Sequence, residues 1–146
     1  MRSRKQVAKE KFLKGFNCSQ TVFVAFAKDV GLKEKDILKL STGFGAGMGR
    51  MQNTCGAVTG AFMVIGYLNG KYKEDDDELK EKTYNFIQEF TSDFKKENDT
   101  INCFELMGFD FKDKDEMEKA VEKELFKEKC LKYVLDAVDI IESKYL

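Results

Sequence analysis

The chain contains no histidine, no tryptophan and no proline. Without histidine there is no imidazole to act as a general base near neutral pH or to ligate a metal, so such roles fall to cysteine and carboxylate. The absence of proline, together with the lack of sustained alternating β-branched runs, predicts an all-α protein. No CxxC pair occurs: the four cysteines, Cys18, Cys55, Cys103 and Cys130, are separated by 37, 48 and 27 residues. Thioredoxin-like motifs and standard zinc ribbons are therefore excluded. Charge of one sign is also missing. Lys and Arg interleave with Asp and Glu to a formal net charge of -1, which argues against nucleic acid or an anionic membrane surface as partner. The longest apolar stretch, roughly Gly56 to Leu68, is too short to span a bilayer and reads as a buried helix. The basic N-terminus has no apolar segment behind it, so no secretory signal is visible and a cytoplasmic location is expected.

At 146 residues, with 42% apolar and 35% charged residues, the chain is expected to form one domain, 1–146, with a core of its own. A reducing compartment disfavours structural disulfides, so the four cysteines point to redox turnover, metal binding or simple burial.

The pattern predicts a single-domain helical bundle of about five longer helices plus short helical turns. An amphipathic helix is expected over about Ser3 to Lys14, with Val7, Phe12 and Leu13 as apolar contacts and Gly15 as its stop. Asn17 caps a second, mostly apolar helix reaching Val30, which Gly31 ends. A short charged helix follows from Glu34 to Ser41. The alternating glycines from Gly43 to Arg50 predict a loop with unusual dihedrals or a close backbone approach. The central apolar helix then runs from Cys55 to Leu68. Asp75 and Glu78 have capping-box spacing ahead of a helix to Lys96 whose stripe includes Phe86, Phe90 and Phe94. Cys103 opens a short turn that stops at Gly108. A charged segment with Met117 and Val121 precedes a final helix, Leu125 to Tyr145, that carries Cys130 on its apolar face.

Cys18, Cys55 and Cys103 follow Asn17, Thr54 and Asn102, residue types that favour the helix N-cap. A helix start offers free N–H groups and the positive end of the dipole, which favour thiolate over thiol. On that ground Cys18, Cys55 and Cys103 are expected to react faster than Cys130, with Arg50 as the nearby cation. Gly56 and Gly60 stack four apart on one helix face and allow a neighbouring helix to come close. The bland alternative for Cys55 is a buried apolar residue between packing glycines. A phosphate-binding loop at Gly43–Gly49 is disfavoured, because no strand precedes it and no GKS or GKT ends it.

The segment Gly15-Phe16-Asn17-Cys18-Ser19-Gln20, the run from Gly43 to Arg50, Cys55-Gly56-Ala57-Val58-Thr59-Gly60, then Cys103 and Cys130, resembles the C-GCAxxG-C-C family of redox-active proteins over nearly the whole chain. The resemblance implies thiol or electron-transfer chemistry at Cys18, Cys55, Cys103 and Cys130, with Gly56 and Gly60 shaping the site. Some members carry selenocysteine at a cysteine position, and related domains occur joined to haem-binding segments. This chain has no CxxCH, so a cytochrome role does not transfer.

Three functions follow. In the leading one a thiolate exchanges with a redox partner protein or small thiol and a second cysteine resolves the mixed disulfide. Cys18 with Cys55 is the expected pair, since both head apolar helices and flank the glycine run. In the second, all four thiolates hold an iron–sulfur cluster or zinc. In the third, the cysteines are inert in a helical interaction module that forms a homodimer through its apolar helices.

Overall fold

A computed structural model describes residues 2–146, and among them only helices, turns and one isolated bridge occur. The fold is all-α. Helix α1 (Arg4–Leu13) begins on a Ser3–Gln6 capping box. Helix α2 (Cys18–Ala25) begins on a second, between Asn17 and Gln20. The apolar run that predicts one helix to Val30 is broken at Phe26, whose φ of -106° and ψ of 18° leave the helical region, so α3 (Ala27–Val30) is a separate turn. Gly31, left-handed at φ 69°, ends it as expected. Helix α4 (Glu34–Ser41) leads through a 3-10 turn, Thr42–Phe44, into the glycine run.

That run forms α5 (Gly45–Met48), a single turn of the wrong hand. Five consecutive residues, Ala46 to Arg50, have positive φ, and Gly49 N–H closes back on Gly45 O at 3.0 Å. For a residue with a Cβ this conformation costs about 1–2 kcal/mol, and Ala46, Met48 and Arg50 all adopt it. Gln52, at φ 55°, adds a fourth such residue.

Helix α6 (Gly56–Asn69) is the central one, apolar on most sides and buried along its first two turns. Its close partner is α2: a Cβ on Gly60 would lie 2.7 Å from Ser19 O and 3.1 Å from Val22 Cβ. Helix α7 (Asp77–Asn98) is the longest. Asp76 caps it by accepting from Leu79 N–H, where the spacing predicts Asp75 with Glu78. Helix α8 (Cys103–Met107) stops at left-handed Gly108. The charged segment with Met117 and Val121 is a helix, α9 (Lys114–Glu122), capped by Asp113. The final helix is irregular at its start. Glu124 sits at φ 54°, Phe126–Cys130 form a π-turn, and α10 (Leu131–Lys144) follows.

Fully buried Phe26, Phe90, Phe94, Ile65, Val134, Val138 and Ile141 join α2, α6, α7 and α10 in one contiguous core. Arg4 ties α1 across it: its guanidinium reaches Asp29 at 2.7 Å and Glu142 at 3.0 Å. Within α1, Ala8 is the buried contact, whereas Leu13 is exposed because the helix turns its other face inward. No helix among the described residues is long and apolar enough to cross a membrane.

Candidate functional site

All four cysteines line one cavity of about 170 Å3, partly open to the surface. A capping box, a backbone bridge, a left-handed turn and one helical irregularity bring them there. The Asn17–Gln20 box fixes the start of α2 and thus Cys18, with both reciprocal bonds at 3.0 Å. The same two side chains anchor that start to the end of α4: Asn17 Nδ2 donates to Thr42 O at 2.9 Å and Gln20 Nε2 to Leu38 O at 2.9 Å.

Cys55 and Cys103 are locked together by backbone. Cys55 N–H donates to Ile101 O at 2.7 Å and Cys103 N–H donates to Asn53 O at 2.6 Å. These two bonds bracket an antiparallel bridge between Thr54 and Asn102. Thr54 is therefore a bridge residue and not a cap; Cys55 itself occupies the N-cap of α6. Asn102 does cap α8, accepting from Glu105 N–H at 2.9 Å. The left-handed turn backs this pair. A Cβ on Gly47 would meet Gln52 Cα at 2.5 Å and Cys103 Cβ at 2.7 Å, and at φ 65° only glycine is at ease there. Gly56 has the matching role beside Cys18, whose Cβ would lie 3.0 Å from an added Cβ.

Cys130 comes from the π-turn, an irregularity that recurs at functional sites. Its Sγ lies 3.8 Å from Met107 Sδ. The Cys130 and Cys18 thiols perturb each other's titration, Cys18 upward and Cys130 downward. The remaining walls are apolar, chiefly Phe12, Leu106, Met107, Phe111, Phe126 and Tyr133.

The electrostatics differ among the four. Cys55 and Cys103 are 5% and 7% exposed, and burial pushes each thiol up to about 12. The N–H groups of Ala57 and Val58 pull Cys55 back toward thiolate, but removal from water wins. Cys18 is raised well above the ordinary thiol value, because it keeps its proton to donate to Cys130 and is desolvated. Cys130 is lowered by that same bond, and Lys129 adds a favourable charge against the cost of burial. Of the pair, Cys130 is the better thiolate. The helix-start rule favours the other three, yet at this depth desolvation outweighs the dipole. Arg50 is exposed and lies on a surface concavity with Asp110 and Lys112, away from the cysteines, so it gives them no help. The useful cation is Lys129, and the sequence carries the signal, since Lys129 directly precedes Cys130.

Gln52 has no such signal. It is 7% exposed, and its amide spans two backbone groups: Nε2 donates to Phe109 O at 2.9 Å and Oε1 accepts from Phe111 N–H at 2.8 Å. Tyr133 on the opposite wall donates its hydroxyl to Leu106 O at 3.2 Å. Among the described residues, no group of three or more Cys, Asp or Glu is placed to hold a metal ion.

The family model described as "Putative redox-active protein (C_GCAxxG_C_C)" matches residues 16–144. No curated protein and no solved structure matches the chain.

Proposed function

The chain belongs to the C_GCAxxG_C_C family of redox-active proteins, and within it we propose thiol–disulfide exchange with Cys130 as nucleophile and Cys18 as resolving cysteine. The observation that carries this reading is the one cavity that all four cysteines line, and the opposite titration shifts of the Cys18 and Cys130 thiols within it support that pair. It replaces Cys18 with Cys55 as the favoured pair, because Cys55 is buried and its backbone is tied to Ile101 beside the Thr54–Asn102 bridge.

The reaction needs a disulfide-bearing partner, R–S–S–R′. Cys130 thiolate attacks one partner sulfur; a Cys130–S–S–R bond forms, and R′–S⁻ leaves and takes up a proton. Cys18 then loses its proton and attacks Cys130 Sγ. The Cys18–Cys130 disulfide forms, and R–S⁻ leaves and is protonated. Two protein thiols are oxidised while one partner disulfide is reduced to two thiols. Lys129 favours the attacking thiolate, and Cys18 supplies the proton that holds it ready. Cys55 and Cys103 shape the cavity floor.

One observation favours a second reading: all four thiols face the same space. A single zinc ion does not fit, because no three ligating side chains among the described residues converge on one point. An iron–sulfur cluster spreads its cysteine ligands over different iron atoms, so Cys18, Cys55, Cys103 and Cys130 fit that donor set. Such a cluster supplies one-electron transfer.

Single Cys→Ser variants of anaerobically purified protein distinguish the two. Exchange predicts that Cys18→Ser and Cys130→Ser abolish reversible oxidation, while Cys55→Ser and Cys103→Ser retain it. Equal loss of iron, sulfide and visible absorbance in all four variants overturns exchange and selects the cluster.

A further inference from the structure

Phe109, Phe111 and Phe126 form a mutually contacting aromatic cluster, with ring centroids 5.4, 6.2 and 5.4 Å apart. All three are half-buried, and two of them, Phe111 and Phe126, line the cysteine cavity. Phe111 also lines two surface concavities, one beside Met117 and Val121 and the other beside Arg50 and Met51. Its ring therefore stands as a partition between the thiols and solvent. Phe126 sits in the same π-turn as Cys130, so the partition and the nucleophile share one irregular element.

The loop bearing Phe109 and Phe111 has no regular structure of its own to hold it. Gln52 supplies the hold. Its side chain takes one hydrogen bond to each of Phe109 and Phe111 backbone, and its own backbone joins the left-handed turn to α8: Gln52 N–H donates to Ala46 O at 3.3 Å, and Phe104 N–H donates to Gln52 O at 3.3 Å. The left-handed run ending in a positive-φ Gln52 is the arrangement that delivers this amide to the loop. Strain of this kind persists where the surroundings over-determine it.

We infer that Phe111, positioned by Gln52, and Phe126 gate the cysteine cavity and restrict it to small uncharged disulfides. The cavity, at about 170 Å3, is close in size to the roughly 150 Å3 space that holds one benzene molecule. Its walls are apolar and Lys129, bound to the α8 carbonyls, is the cation nearest Cys130. A charged peptide disulfide would have to shed its hydration against apolar walls, and Lys129, already held by the Leu106 and Met107 carbonyls, is the charge that bears on Cys130. The inference rests on the thiol chemistry proposed above and names the reactant class for that same site. Gln52 is a positioning residue: it acts through the loop and not on sulfur.

The test uses the reduced full chain and one reactive group in two sizes, iodoacetamide alone and iodoacetamide linked to a sulfonated naphthalene. Labelling of Cys130 by the bulky anionic reagent is expected to be at least ~10-fold slower than by the parent, and Phe111→Ala or Gln52→Gly should raise only the bulky rate, by ~10-fold. Gln52→Gly removes the amide while keeping a residue that accepts positive φ, so the turn survives. A gain in both rates together would mean general loosening and would overturn the gate, as would an unchanged ratio in both variants. Since alkylation needs no disulfide, the gate stands or falls apart from the pairing. In a second arm the protein is oxidised with 2-hydroxyethyl disulfide or glutathione disulfide. Preference for the neutral reagent, lost in Gln52→Gly, supports the reactant class. Equal rates with both overturn it, and oxidation by neither overturns the exchange chemistry while leaving the gate to the alkylation result.

Discussion

Gly60 and Gly66 lie on the same helix, α6, and offer the same substitution in opposite surroundings. Replacing either by alanine gains about 1 kcal/mol of helix propensity. At Gly66 an added Cβ meets nothing within 4 Å, so that gain is realised. At Gly60 the Cβ would lie 2.7 Å from Ser19 O and 3.2 Å from Ser19 Cα, both backbone atoms that no rotamer change can move. Helix α2 must shift, and overpacking of this kind costs about 1–3 kcal/mol. Subtracting the propensity gain leaves Gly60→Ala less stable by roughly 0–2 kcal/mol, with Gly66→Ala more stable by roughly 1 kcal/mol. For a chain of this length each kcal/mol moves Tm by about 2–4 °C, so the two variants should separate by roughly 2–12 °C in thermal melts followed by circular dichroism. Because Ser19 follows Cys18, the same shift displaces the Cys18 thiol from Cys130 and should slow Cys130 alkylation in Gly60→Ala alone. If Gly60→Ala melts at or above Gly66→Ala, the close α2–α6 contact is wrong, and with it the placement of Cys18.

Three further outcomes are expected. In reduced protein near neutral pH, Cys130 should alkylate fastest and Cys55 and Cys103 slowest, and Lys129→Gln should slow Cys130 by ~3-fold, the loss of roughly 0.5–1 kcal/mol of charge stabilisation; peptide-resolved labelling reads both. Stability should fall as pH rises from 9.0, the ordinary thiol value, toward about 12. The unfolded chain releases the Cys55 and Cys103 protons in that window while the folded chain retains them, and Cys55→Ala should flatten the fall in denaturant titrations. Asp29→Asn should cost about 0.5–1 kcal/mol by breaking the contact to Arg4. The Arg4 guanidinium holds the Asp29 carboxyl below 3.8, so its stabilisation is present above that value and is lost as pH falls through the folded value; the variant should therefore be less acid-sensitive in melts between pH 5 and pH 2.

Local chemistry was legible wherever it decided the outcome alone. Asn17, Gly31 and Gly108 marked helix ends that tertiary packing had no reason to move. The glycine run announced unusual dihedrals, although its left-handed closure depends on the backbone crowding around Gly47. Features made by distant contacts were not legible. Thr54 has the composition of a cap, but Asn102 claims its backbone from across the chain. The break at Phe26 and the π-turn before α10 each interrupt a periodicity that reads as continuous. Helix α9 is short and mostly charged, and Ala120 is its sole buried residue, so little in its sequence set it apart from a solvated segment. For the site, four cysteines and two shaping glycines could be named from sequence order, since the spacing left few other reactive groups. That Cys18 and Cys130 line the same cavity could not, because they reach it only through the packing of α2 against α10. Gln52 was hidden for the same reason, its partners lying 57 and 59 residues away.

The central claim is that Cys18 and Cys130 form the redox pair. Its most direct test is disulfide mapping by mass spectrometry on protein purified anaerobically, oxidised with 2-hydroxyethyl disulfide and digested after blocking free thiols. The account predicts a Cys18–Cys130 linked peptide, with Cys55 and Cys103 recovered as blocked thiols. A Cys18–Cys55 link, or no link in protein that carries iron and sulfide, would contradict it.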